Sequence, residues 1–133
     1  MLIPTIHFNG NCDEAISFYK DALGAEVVVI NYAKDAPPDS DMDELPPNFV
    51  MYSEILIGGT KLSLTDGAET PLPFGHFSYM LNYDTAEEVT ATFNKLAVGG
   101  KVEMPLEETF WASLYGSVAD RFGVNWQVMI IQS

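Results

Sequence analysis

An internal repeat narrows the possible folds of this chain more than any other feature. Residues 2–33 run LIPTIHFNG, NCDEAISFYKDALG and AEVVVINYA, and residues 75–104 run GHFSYMLNYD, TAEEVTATFNKLAVG and GKVEM. An offset of 75 places Phe93 on Phe18, Gly99 on Gly24 and Val102 on Val27. Each half has the pattern of a strand, a helix and further strands, so one supersecondary unit is used twice. A length of 133 residues suits one domain with a real core and is short for two independent ones.

The local signals fill in this outline. In the first helix Asn11 is the expected N-cap, with Glu14 three residues on completing a capping box. Ala15, Ile16, Phe18, Tyr19, Ala22 and Leu23 form one apolar stripe, and Gly24 supplies a left-handed end. In the second helix Asp84 or Thr85 caps, Glu87 and Glu88 suit the N-terminal dipole, and Gly99-Gly100 ends it. Its buried face is read as Val89, Phe93, Leu96 and Ala97. Phe49 to Ile57, a Gly58-Gly59 turn and Thr60 to Thr65 read as a hairpin. A second, aromatic hairpin runs from Trp111 to Ala119, turns over Asp120 to Gly123 and returns from Val124 to Ile131. There Asp120 can accept from backbone N–H groups across the turn, and Gly123 can take positive φ.

Residues 34–48 carry most of an acidic, proline-rich stretch that reads as a loop, either a lid or an inert insertion. Residues 70–75 look like a linker. The expected fold is therefore α+β: paired βαβββ modules, 1–69 and 75–133, in a single domain, with mixed sheets cupped around a shared cavity and helices outside.

Charge and composition exclude several functions. A net charge of -13 with six basic residues argues against nucleic acid and anionic membrane surfaces. The longest apolar runs, such as Val27 to Ile30, are far below the ~20 residues of a membrane span. A single cysteine, Cys12, gives no internal disulfide and no cysteine pair for zinc. No secretory signal is evident at the N-terminus, and a cytoplasmic location is expected.

Phe8-Asn9-Gly10-Asn11-Cys12, Glu14-Ala15, Phe18-Tyr19 and Leu23-Gly24 form one group of matching residues. Gly99-Gly100-Lys101-Val102, Met104-Pro105-Leu106, Thr109-Phe110-Trp111, Tyr115-Gly116 and Asp120-x-Phe122-Gly123-Val124-x-Trp126 form another. In these the chain resembles the vicinal oxygen chelate superfamily of glyoxalase I, bleomycin-resistance proteins and extradiol dioxygenases. More narrowly it is similar to the PhnB-like group, often labelled 3-demethylubiquinone 3-methyltransferase-like. The resemblance implies paired βαβββ modules, a homodimer, and a divalent metal held by four inward His or Glu residues and acting as a Lewis acid. Carried over by position, those four ligands fall near Pro4, Ser63, Ser78 and Gln127. Proline cannot ligate through its side chain, and serine is a poor neutral ligand for a transition metal.

The expected function is thus binding of a small molecule by Ser63, His76, Ser78, Trp111, Tyr115 and Gln127, with no metal or other cofactor and no catalytic residue assigned. The alternative is a lyase, isomerase or dioxygenase using Zn, Ni, Mn or Fe, held by His76, Gln127 and a carboxylate such as Glu54. Methyl transfer lacks the glycine-rich nucleotide motif. Counting by three from Pro4 puts His7 on the opposite strand face from the site. Trp111 and Tyr115 either line a pocket or pack in a core or dimer interface. Trp126 is read as packing beneath a helix, Glu103, Glu107 and Glu108 as a solvated edge, and Cys12 as structural despite its place at a helix start.

Overall fold

The computed structural model describes residues 1–37, 44–69 and 77–131. The chain divides between Pro71 and Leu72 into two compact units. In the first, β1 (Thr5–Phe8) leads into α1 (Cys12–Leu23), then β2 (Glu26–Tyr32), β3 (Val50–Ile57) and β4 (Thr60–Asp66). The second repeats the order with β5 (Tyr79–Asn82), α2 (Ala86–Ala97), β6 (Lys101–Glu107), β7 (Ala112–Ala119) and β8 (Asn125–Ile131). Each unit owns one four-stranded sheet, ordered β1-β4-β3-β2 and β5-β8-β7-β6. In both, the first strand runs parallel to the last and the other pairings are antiparallel. The sequence repeat is therefore also a repeat of topology, and the α+β expectation of two βαβββ modules holds.

Each helix covers one face of its own sheet. Ala15, Ile16, Tyr19 and Ala22 of α1 are buried, as are Ile6, Phe8, Ile55, Leu62 and Leu64 of the first sheet. In α2 the buried face is Val89, Thr92, Phe93 and Leu96, so Thr92 joins the stripe while Ala97 is only half-buried. Gly116 lets α2 approach β7 closely: a Cβ there would lie 2.7 Å from the Phe93 ring and 2.8 Å from Leu106. The Gly58-Gly59 turn has φ of 55° and 84°, as a tight two-residue hairpin needs.

The start of α1 corrects the sequence reading. Asn11 has φ -114° and ψ 21° and makes no side-chain cap. A side chain caps well from extended backbone, and Asn11 is not extended. Asp66, at the end of β4, takes the role instead. Its Oδ1 accepts from the backbone N–H of Gly10 (2.8 Å) and Cys12 (3.0 Å), and its Oδ2 from Val50 (3.0 Å). Gly24 ends the helix with φ 64°, as expected. In α2 Thr85 is the cap: its hydroxyl accepts from Glu88 N–H and donates to the Glu88 carboxylate.

The ends of the acidic stretch are tied together, because Ala33 N–H donates to Phe49 carbonyl at 2.8 Å. Of the stretch 34–48, read as a lid or an inert insertion, residues 38–43 lie outside the described residues, as do all of 70–75, read as a linker.

Candidate functional site

The second sheet offers a face that α2 does not cover. In the β7–β8 register, Ser117 lies opposite Gln127, Tyr115 opposite Met129 and Ala119 opposite Asn125. Strand alternation sends this set away from Gly116, Val118, Trp126 and Val128, whose face packs under α2. Trp126 is buried on that helix side, where its ring lies 5.5 Å from Tyr79. Burial also raises the Tyr79 phenol above its usual pKa.

The turn between the strands is fixed by Asp120. Its Oδ1 accepts from Phe122 N–H (2.9 Å) and Val124 N–H (3.1 Å), as the sequence suggests. Its Oδ2 also accepts from Trp126 Nε1 at 2.9 Å, a contact the sequence did not announce. Gly123, at φ 89°, supplies the left-handed residue. Backbone turn, indole and strand register are thus locked by one carboxylate, which sets where Gln127 points.

On the open face a recess of about 310 Å³ lies wholly within the second unit. The Tyr115 hydroxyl donates to Gln127 Oε1 at 3.0 Å, and Gln127 Nε2 donates to Ser78 Oγ at 2.8 Å. The amide is therefore held at both ends, and the Ser78 hydroxyl keeps a proton to donate. Asn125, Ser117 and Glu103 complete the polar lining, and the exposed ring of Phe77 stands at the edge. Three of the six candidate residues, Ser78, Tyr115 and Gln127, are thus brought together. Trp111 touches this group through Tyr115, with ring centroids 5.3 Å apart, but does not line the recess. His76 lies outside the described residues. Ser117 and Asn125 were missed, although stepping by two from Tyr115 and from Gln127 reaches both. Glu103, read as a solvated edge, also belongs to the lining.

Ser63 sits in the first unit, buried on β4, and the register there corrects two further readings. Thr5, not Pro4, pairs with Ser63, and His7 pairs with Thr65. His7 therefore shares the face of Ser63, and its Nδ1 bonds the Thr65 hydroxyl at 2.8 Å. Positions 4 and 7 do face opposite ways; the error lay in taking Pro4 as the inward residue. Glu54 lies directly opposite Ser63. Its carboxylate is engaged by Lys61 at 2.9 Å and by the Tyr52 hydroxyl. Those two contacts, Tyr52 first, hold it below the usual carboxylate range.

Cys12 is fully buried at the start of α1. Burial, then the carboxylates of Asp66 and Asp13, push its thiol far up, against the pull of the helix dipole. It is a structural thiol.

The fit to a divalent ion is poor. Among the described residues no three His, Cys, Asp or Glu side chains gather into a metal-holding group. The described residues of the recess offer hydroxyls, two amides and one carboxylate, which is not a donor set for a transition metal.

The comparisons agree with this architecture. Protein YjdN of Escherichia coli is 31% identical over 98% of this chain and 95% of its own length. The crystal structure of PA1353 from Pseudomonas aeruginosa superposes with a TM-score of 0.85 at 35% identity, covering 100% of this chain and 98% of that one. A Bacillus cereus PhnB protein, described as a putative 3-demethylubiquinone-9 3-methyltransferase, gives 0.82 at 23% identity over 97% and 98% of the two chains, a likeness of fold. Residues 4–128 match the family model itself, and the chain belongs to the Glyoxalase/Bleomycin resistance protein/Dioxygenase superfamily.

Proposed function

We propose that the chain binds a small molecule in the recess of its second unit through neutral hydrogen-bonding groups, without the divalent ion implied by its superfamily. The Tyr115–Gln127–Ser78 chain of hydrogen bonds carries this reading. Gln127 stands where a metal-binding acid would be expected, and both ends of its amide are already engaged by protein groups. A metal there would have to break those bonds in exchange for weak neutral ligands. A ligand, by contrast, finds an ordered donor at Ser78 and further polar groups at Ser117 and Asn125. The recess volume is at the small end of ligand sites and suits roughly one ring with a polar substituent. The methyltransferase name of the Bacillus protein is not carried over, because the chain has no glycine-rich nucleotide motif. A homodimer, as the resemblance implies, is part of the proposal; the exposed Val102 and Met104 of edge strand β6 support it.

Equilibrium dialysis of chelator-treated protein against small polar aromatic compounds tests the reading. Retention by the wild type, weakened about tenfold in Gln127→Ala, is the expected result, since that variant removes one polar group of the lining and the partner that orients the Ser78 hydroxyl, together about 1.4 kcal/mol. Binding or turnover that appears only with stoichiometric Zn, Ni, Mn or Fe would overturn it in favour of the metal-dependent enzyme.

A further inference from the structure

Building on that reading of the recess, we infer that its ligand carries a positively charged amine, recognised by Glu103. The bulge in β6 is the starting observation. Val102 pairs with Val118 and Met104 with Ser117, so two steps on β6 answer one step on β7 and Glu103 is the extra residue. Bulges of this kind re-aim a side chain, often at a sheet edge beside a site. Here the re-aimed side chain lines the recess.

Among the described residues Glu103 is the one charged group in that lining; the other polar side chains are neutral hydroxyls and amides. No ion pair or hydrogen bond among the described residues occupies its carboxylate. Among the described residues the lining contains no Lys, Arg or His, so a phosphonate, phosphate or carboxylate would meet the negative charge of Glu103. An ammonium group would meet a free acceptor instead, with the Gln127–Ser78 pair and Asn125 available to its polar neighbours. The exposed phenyl ring of Phe77 in the lining offers an apolar contact, or a cation–π contact through its face. The net charge of -13 works in the same direction, raising the local concentration of cations and lowering that of anions.

Three probes of one size separate the possibilities: benzylamine, benzyl alcohol and benzoate, each titrated calorimetrically into wild type and Glu103→Gln at low and physiological salt. Benzylamine is expected to bind about fivefold tighter than benzyl alcohol, the scale of a partly exposed ion pair. Benzoate should be weakest, and added salt should narrow the spread. In Glu103→Gln the fivefold preference for benzylamine over benzyl alcohol should disappear. Benzoate binding as tightly as the amine, or an amine preference that survives Glu103→Gln, would overturn the inference and leave the recess reading standing. Failure of all three probes to bind either protein would remove the recess reading, and this inference with it.

Discussion

Tyr32 donates its phenol proton to Asp13 Oδ1 at 2.6 Å, joining the end of β2 to the first turn of α1. That bond, with burial and the Asp13 charge behind it, pushes the Tyr32 pKa from 10.0 up to about 12. The sign follows from which form folding favours. The neutral phenol is stabilised in the native state, so the contribution is fully present below pH 10 and is lost as pH rises towards 12. Urea midpoints of the wild type and Tyr32→Phe, compared between pH 8 and 12, should differ by a constant amount up to about pH 10 and converge above it. A difference that stays constant to pH 12 would show that the bond to Asp13 does not set the titration. Residue-level chemistry of this kind was only partly legible beforehand. That Gln127 could not act as an acid was plain from its identity, whereas its two partners depended on Ser78 and Tyr115 being carried to either side of it by β5 and β7.

Two buried aspartates, Asp66 and Asp120, organise the elements around them, and each collects three N–H donors. Asp66 ties the start of α1 and the start of β3 to the end of β4, so removing it leaves three buried or part-buried donors unsatisfied. Asp66→Ala should lower stability by about 3 kcal/mol, measured by urea unfolding, because hydrogen bonds to a charged acceptor contribute more than neutral ones. A loss below about 1 kcal/mol would mean that water or Asn11 replaces the carboxylate. Element identity was readable from periodicity and turn residues, as the Asp120-to-Gly123 hairpin illustrates. Capping of α1 was not, since a partner 54 positions away in sequence is invisible to local pattern. The inward register of β1 failed for the same reason: parity along a strand is local, but which parity faces Ser63 is decided by pairing with β4. Glu103 adds a third case, because a bulge shifts alternation by one and no residue type announces it.

For the whole molecule, the 75-residue offset correctly implied two modules of one topology, and the family follows from residues at both ends of the chain. The superfamily scaffold does not dictate the chemistry, since its sites vary on a shared fold. The proposed site rests on an amide, Gln127, bound on both sides where the resemblance implies a metal ligand, next to a recess whose described lining has one carboxylate, Glu103. The most direct test of that account is a backbone amide NMR map of the protein, freed of metal by chelator and titrated with benzylamine. Shifts concentrated at Ser78, Glu103, Ser117, Asn125 and Gln127 are the predicted result. Shifts absent from those residues, or arising there only after a divalent metal is added, would contradict it.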